Sequence, residues 1–177
     1  NGGWAWTVTS GGATVLGATD DVQAGTGGAA RVGSNLSTDD HYGQLDFTSY
    51  GTDSAVRFGP CARFAGTAET YYTWVVAARA NGGQNIYKRV AGSYTSLATQ
   101  TETQATPITL KLSVNNSDLT AYIGGVQKLT AVDTAITGNL RGGIDWATQG
   151  GASQKADNGE WADISAGVTF VPKITVV

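Results

Sequence analysis

Apolar and polar residues alternate along several short stretches of this chain. Because successive side chains of a β-strand point to opposite faces, each such stretch predicts a strand with one face in the core. No stretch keeps apolar residues at helical spacing for three turns, so we expect an all-β chain with at most one or two helical turns. The clearest apolar sets are Leu45 with Phe47, Trp4 and Trp6 with Val8, and Ile108, Leu110 and Leu112 with Val114.

The segment 71–78 breaks the alternation, because it is apolar on both faces. A strand of this kind is typical of the interior of a sheet. Tyr72 and Trp74 share one face of the segment, and Tyr71 and Val75 share the other. The second face either packs beneath a loop or lines a groove, and the sequence leaves both alternatives open.

Glycine-rich and asparagine-rich breaks separate the strand-like stretches at short intervals, which is typical of a sandwich or a barrel. From about residue 71 to residue 133 the pattern predicts an unbroken series of hairpins. No linker divides the chain, so we predict one domain over residues 1–177. Its tail from about residue 168 is strand-like, and either closes the sandwich or leads to another domain. The breaks are Asn81 to Gly83, Ala91 to Ser93, Asn115 to Asp118, Gly124-Gly125, Gly142-Gly143 and Gly150-Gly151.

Several segments resemble the concanavalin A-like lectin/glucanase superfamily. The late strand pair of that group is similar to residues 110–114 and 119–125, followed by 133–138 and 141–144. Residues 37–44 resemble an early strand opening, and Asp157-Asn158 resembles the entry to the last long strand. The resemblance implies a two-sheet antiparallel jelly-roll β-sandwich whose early and middle strands build a concave sheet. The superfamily includes lectins, carbohydrate-binding modules, hydrolases, lyases and phage structural domains, so the fold alone names no function.

Composition narrows the functional classes. Charged residues make up 14 % of the chain, 25 residues are glycine, and the net charge is −3. A nucleic-acid-binding domain is usually basic, so we expect no nucleic acid. No run of about 18 apolar residues exists, so we expect no membrane insertion. One Cys and one His exclude an internal disulfide and a His/Cys zinc site, and Cys61 is predicted to be buried. The chain lacks methionine, so we expect a processed product or part of a longer protein.

The sequence does not support an enzyme. Its three glutamates, Glu69, Glu102 and Glu160, are scattered, whereas glycoside hydrolysis needs a close carboxylate pair. Residues of the kinds used by alginate-lyase-like relatives are present, but the lyase motifs that would contain them are missing. We therefore predict no catalytic activity and no cofactor. Those lyase candidates are His41, Gln44, Arg63 and Tyr94.

A binding site is better supported, because sugars are recognised by aromatic rings together with polar side chains that fix their hydroxyl groups. By the resemblance, the candidates fall on the strands of the concave sheet. The early and middle strands contain three further binding candidates, Arg57, Tyr72 and Trp74. Of these, Tyr72 and Trp74 are also candidates for the core. Metal binding stays open, with Asp157 as a conceivable calcium ligand. The predicted ligand-binding residues are Tyr42, Gln44, Asp46, Arg63, Tyr87 and Arg89.

These observations favour a non-catalytic recognition module that binds a glycan or host-surface polymer. The resemblance and the composition suggest an extracellular or virion surface, such as that of a phage. The rival hypothesis is a structural virion domain that contacts neighbouring subunits, and the third is a polysaccharide lyase or hydrolase. Weak individual sugar contacts would favour a multivalent or homo-oligomeric form.

Overall fold

A computed structural model describes residues 6–10, 13–16, 21–24, 27–49, 57–65, 68–77, 83–147 and 154–164. Within these ranges the chain forms fourteen β-strands and no helix. The ranges therefore also lack a helix long and apolar enough to cross a membrane. The strands form two seven-stranded sheets, and every described strand pair is antiparallel.

Sheet 1 has the strand order β1-β4-β13-β6-β7-β8-β9. Its two edge strands are β1 and β9, and β13 lies between strands from the first half of the chain. The strands of sheet 1 are β1 (Trp6–Ser10), β4 (Gly28–Val32), β13 (Arg141–Ala147), β6 (Arg57–Phe64), β7 (Tyr71–Ala77), β8 (Gly83–Val90) and β9 (Ser93–Thr101).

Sheet 2 has the order β12-β11-β10-β5-β14-β3-β2. The chain therefore changes sheet several times, and the predicted unbroken series of hairpins is wrong. It is interrupted between β9 and β10, where residues 102–107 carry the chain from sheet 1 to sheet 2. The strands of sheet 2 are β12 (Val126–Val132), β11 (Asp118–Ile123), β10 (Ile108–Asn115), β5 (His41–Ser49), β14 (Gln154–Asp163), β3 (Asp21–Ala24) and β2 (Ala13–Leu16).

The core lies between the two sheets, as the alternation predicted. Phe47 of sheet 2 stacks on Phe58 of sheet 1, with ring centroids 5.0 Å apart. Leu110, Leu112 and Val114 of β10 are fully buried in the same cluster, as are others from both sheets. Val8 departs from the prediction, because it is 45 % exposed. Its strand is an edge strand of sheet 1, with a neighbouring strand on one side only. Trp4 lies outside the described residues.

Strand β7 lies between β6 and β8, so its prediction as an interior strand is confirmed. Tyr72 and Trp74 are fully buried in the main core, which removes both from the candidate binding residues. The opposite face of β7 is also buried, at Tyr71 and Thr73.

The glycines follow the predicted breaks in some places and not in others. Gly92, Gly124 and Gly125 have positive φ and form hairpin turns, as expected. The predicted turn at Gly142-Gly143 is wrong, because both residues lie within β13. A Cβ on Gly142 would lie 1.7 Å from the Trp161 ring, so glycine here permits close packing rather than a turn. Asn81, Gly82, Gly150 and Gly151 lie outside the described residues.

Asp157 and Asn158 also differ from the expectation, since they lie within β14 rather than before it. The pairing of β14 with β5 shifts register between Asp157 and Glu160, and Asn158 has a positive φ. A bulge in the strand therefore occupies the place where a strand entry was expected.

Candidate functional site

The outer face of sheet 1, which points away from sheet 2, carries a cluster of polar and aromatic side chains. Strand alternation puts these residues opposite the core residues Phe58, Tyr72, Trp74 and Ile86. We call this cluster the sheet 1 site. Its members are Arg57 on β6, Glu69 before β7, Tyr71 on β7, Tyr87 and Arg89 on β8, Tyr94 on β9 and Asp145 on β13.

Asp145 lies at the centre of the site and is only 3 % exposed. Its Oδ1 accepts hydrogen bonds from the hydroxyl of Tyr94 at 2.8 Å and from that of Tyr71 at 3.2 Å. Burial raises the pKa of the Asp145 carboxyl to about 6, although the two hydroxyls and Arg89 oppose that change. The carboxyl is thus held in place by two tyrosines, and its pKa lies above the usual range for an aspartate.

Arg89 joins this centre to the end of strand β8. Its Nη1 donates to the hydroxyl of Tyr71 at 2.7 Å, and its Nη2 forms an ion pair of 2.7 Å with Glu69. The guanidinium carbon lies 4.6 Å from the ring centroid of Tyr94. Arg89 is therefore fixed by an acid, a hydroxyl and an aromatic face at once.

Arg57 approaches the same aromatic residues from β6. Its guanidinium carbon lies 5.6 Å from the ring centroid of Tyr87 and 5.8 Å from that of Tyr94. The two rings meet edge to face, with centroids 5.6 Å apart. Tyr94 is 38 % exposed, and Arg57 and Tyr87 are half-buried, so this part of the site is accessible to a ligand.

The floor of the site is a second, smaller apolar cluster on the same face. It contains Ala29, Cys61, Phe64 and Tyr71, with the Phe64 and Tyr71 rings stacked at 4.4 Å between centroids. Cys61 is buried, as predicted, and burial raises the pKa of its thiol. The small side chains Ala29 and Cys61 pack in this cluster beside the Phe64 and Tyr71 rings.

The hydrogen bond from Tyr94 to Asp145 shows that the outer face of sheet 1 is concave. Tyr94 lies on edge strand β9, and three strands separate it from β13, which carries Asp145. With about 4.8 Å between neighbouring strands, a flat sheet would separate the two backbones by about 19 Å. A tyrosine and an aspartate side chain cannot span that distance. The sheet must therefore curve around the site.

Three of the six predicted binding residues lie on the other side of the sandwich. Tyr42, Gln44 and Asp46 lie on the outer face of β5 in sheet 2, and their predicted position beside Tyr87 and Arg89 is wrong. The alternation correctly predicted that these three side chains point away from the core. It gave no information about which sheet contains β5. The predicted six residues therefore do not form one surface.

The sheet 2 residues make their own contacts. The hydroxyl of Tyr42 donates to Glu160, and the ammonium nitrogen of Lys111 lies 3.7 Å from the Tyr42 ring centroid. Asp46 accepts a hydrogen bond of 2.6 Å from the Thr109 hydroxyl. Each of these contacts joins neighbouring strands, so none of them requires the curvature found in sheet 1.

Arg63, the sixth predicted residue, is buried inside the end of the sandwich and was wrongly placed on a binding face. Its backbone has φ of 52°, and the pairing of β6 with β13 gains an extra residue there. This bulge turns the side chain away from the outer face. Its guanidinium donates to the carbonyls of Asp39, Ile136 and Asn116 at 2.7–2.9 Å and pairs with Asp40 at 3.0 Å.

A pocket of about 380 Å³ lies beside Arg63. It is lined by loop residues, which include Asp39, Asp40 and Asn116. Most of the Arg63 donors already have partners within the protein. Among the described residues, no group of three or more His, Cys, Asp and Glu side chains could hold a metal ion.

The four residues considered for a lyase do not come together in one site. His41 is fully buried, its Nε2 accepts the backbone N–H of Arg63 at 2.9 Å, and its Nδ1 lies 3.2 Å from the Thr38 carbonyl. Burial lowers the pKa of the imidazole. Tyr94 lies in the sheet 1 site, on the opposite side of the sandwich from Gln44. His41, the first residue of β5, thus links the preceding loop to Arg63 of β6.

The sequence pointed to Tyr87, Arg89 and Arg57 but not to Glu69, Tyr71 or Asp145. For Asp145 a signal was present, since it stands between the apolar residues Ile144 and Trp146. An acid at the outward position of a strand with buried neighbours is a plausible site residue. The predicted turn at Gly142-Gly143 obscured this signal, because a turn there would put Asp145 next to a loop rather than inside a strand.

No protein-family model matches the sequence, and no curated protein matches it significantly. Solved structures do match the fold. Carbohydrate-binding module CBM66 from Bacillus subtilis is 13 % identical, with 89 % of this chain and 92 % of the module covered and a TM-score of 0.69. The β-glucanase of Bacillus licheniformis is 10 % identical, with 91 % of each chain covered and a TM-score of 0.60.

Sheep galectin-11 is a third match, with 8 % identity, coverage of 77 % of this chain and 97 % of the galectin, and a TM-score of 0.52. At such identities these similarities show the fold alone. The chain has a two-sheet antiparallel jelly-roll β-sandwich fold, as its sequence resemblance implied. Binding modules, lectins and hydrolases share this fold, so the function has to be argued from the site.

Proposed function

We propose that this domain is a non-catalytic glycan-recognition module and that the sheet 1 site is its binding surface. The observation that carries the proposal is the concave aromatic and polar cluster held together by the Tyr94–Asp145 hydrogen bond. Matches of the same fold include a carbohydrate-binding module and a galectin, which is consistent with this reading.

The chemistry of the site suits a sugar. Tyr87 and Tyr94 present aromatic surface, which packs against the C–H face of a sugar ring. Arg57 and Arg89 supply planar N–H donors for the hydroxyl oxygens of a sugar. Asp145 accepts the hydrogen bond that holds the Tyr94 side chain in position. A few fixed polar groups around aromatic surface are typical of small-molecule sites.

The same residues argue against catalysis. Asp145 has its Oδ1 occupied by two hydroxyls, and Glu69 is paired with Arg89. Burial and the neighbouring Asp145 raise the pKa of the Tyr94 hydroxyl, which disfavours the phenolate that would act as a general base. We therefore propose binding without turnover. The extracellular or phage-virion setting remains the expectation drawn from the sequence.

A structural role is the second candidate, and edge strand β9 favours it. Its nine residues, Ser93–Thr101, include no charged side chain, and most of them are exposed. Edge strands of monomers usually carry charges, prolines or bulges that prevent pairing with another chain. The β9 strand has a bulge opposite Ile86 but no charge, so it could pair with a second copy.

A glycan array probed with a streptavidin-linked tetramer of the domain tests the main proposal. Tyr87→Ala should weaken binding at least about tenfold, or about 1.4 kcal/mol. The matched control is Tyr42→Ala, which removes a half-buried tyrosine from the outer face of sheet 2 and should leave binding within about twofold. Both variants are first checked for an unchanged thermal midpoint.

The opposite pattern, in which Tyr42→Ala abolishes binding and Tyr87→Ala does not, would place the site on sheet 2. If no glycan is bound, the glycan proposal fails. Sedimentation would then support the structural candidate if it shows self-association that Thr99→Lys on β9 removes.

A further inference from the structure

Arg57 is half-buried and, like Arg31, Lys111, Arg141 and Lys155, forms no ion pair with another described residue. Arg63, Lys88, Arg89 and Lys128 each form an ion pair with an Asp or Glu side chain. The hydrogen bond of Arg57 to the described residues is a long one, from Nη1 to the hydroxyl of Tyr87 at 3.4 Å. Toward the described residues, therefore, most of its five N–H donors make no hydrogen bond, although the Arg57 charge also attracts the Asp145 carboxylate.

The position of Arg57 is nevertheless defined. Its guanidinium lies beside the Tyr87 and Tyr94 rings, at 5.6 Å and 5.8 Å from their centroids. The two rings are fixed in turn, because they contact each other edge to face and Tyr94 is hydrogen-bonded to Asp145. An arginine restrained by aromatic contacts loses less conformational freedom when it binds a planar anion.

The charge around Arg57 also favours an anion. The described strand residues on the outer face of sheet 1 include three arginines, Arg31, Arg57 and Arg89, and one acid, Asp145. Glu69 adds one more acid at the end of the site, where Arg89 neutralises it. The chain as a whole has a net charge of −3, so the excess of positive charge on this face is opposite in sign to the net charge of the chain. A concave surface strengthens such a local field.

We infer that the sheet 1 site selects acidic glycans, with Arg57 binding the carboxylate of a uronic acid while Tyr87 and Tyr94 contact the sugar ring. This inference rests on the proposed function and names the ligand class for the same site. The fork of two parallel N–H groups on Arg57 matches the two oxygens of a carboxylate. A neutral sugar would leave that fork without an anionic partner.

The test compares oligomers of galacturonate, of mannuronate and guluronate, and of glucuronate-containing chains with their carboxyl-reduced neutral forms. Titration calorimetry should show at least one acidic oligomer bound more than tenfold tighter than its reduced form. Raising the salt concentration should weaken only the acidic interaction, because the pair is partly exposed.

Arg57→Gln should remove that preference and leave the affinity for the reduced oligomer within about twofold. The matched control is Lys111→Gln, which removes the cation that lies against Tyr42 on sheet 2, and it should change neither affinity. The wild-type comparison of acidic and reduced oligomers stays decisive even if Arg57→Gln fails to fold.

Neutral glycans bound as tightly as their acidic forms would overturn this inference and leave the proposed function standing. An acidic preference that persists in Arg57→Gln would also overturn it. Failure of the wild-type protein to bind any acidic or neutral glycan would remove the proposed function together with the inference.

Discussion

Asp145 and Arg63 are both almost fully buried, yet their surroundings give them different roles. Arg63 is 1 % exposed and donates to three backbone carbonyls and to Asp40, so it ties loops together at one end of the sandwich. Asp145 accepts from two tyrosine hydroxyls at the centre of a concave face. A buried charge surrounded by carbonyls is a structural element, whereas a buried carboxyl beneath accessible aromatic rings is a candidate site residue.

Asp145 gives the domain a pH-dependent stability that a single substitution isolates. Its pKa is about 6 in the folded chain, whereas the ordinary pKa of an exposed aspartate is 3.8, because burial disfavours the charged form. The folded state therefore holds its proton more tightly than the unfolded chain. This contribution is fully present below about pH 4 and is lost as the pH rises through about 6.

We expect Asp145→Asn, which keeps an oxygen for the Tyr94 hydroxyl, to gain stability relative to wild type between about pH 4 and pH 7. The relative gain should reach about 3 kcal/mol at most, since one pKa unit corresponds to about 1.4 kcal/mol. Urea denaturation of both proteins across that range measures it. A difference between the two proteins that stays constant with pH would show that Asp145 titrates normally.

Strands and hairpins were the part of the fold that the sequence predicted best. Period-two alternation identified β5, β10 and the hairpin from β10 to β11, and the structure pairs Leu112 with Ala121 in that hairpin. Alternation succeeds because side-chain direction in a regular strand depends only on position. Predictions made on other grounds failed: Arg63 lies at a bulge rather than on a binding face, Asp157 lies within the last strand rather than before it, and Gly142 packs against Trp161 rather than forming a turn.

The β10–β11 hairpin allows a direct test of this packing. Leu112 is fully buried between the sheets, so Leu112→Ala should reduce the free energy of unfolding by about 2–5 kcal/mol. Thr120→Ala, on the outer face of the same hairpin, is the control and should cost less than about 1 kcal/mol. Equal losses in the two variants, measured by chemical denaturation, would show that the face assignment is wrong.

The assignment of strands to sheets could not be obtained from the sequence, and it decides where the site lies. Tyr42, Gln44 and Asp46 have the same outward periodicity as Tyr87 and Arg89, but β5 pairs with β10 and β14 in sheet 2. Long-range pairing of this kind depends on which distant segments meet, and local patterns carry no record of it. The Tyr94–Asp145 contact likewise depends on curvature across five strands of sheet 1.

The location of the binding surface can be measured by chemical-shift mapping of the isotope-labelled domain during titration with the glycan that the array identifies. Binding at the sheet 1 site predicts the largest amide shifts at Arg57, Tyr87, Arg89, Tyr94 and Asp145, with residues 42–46 and 109–113 unchanged. Shifts concentrated at residues 42–46, 109–113 and 158–160 would contradict this location and assign binding to the outer face of sheet 2.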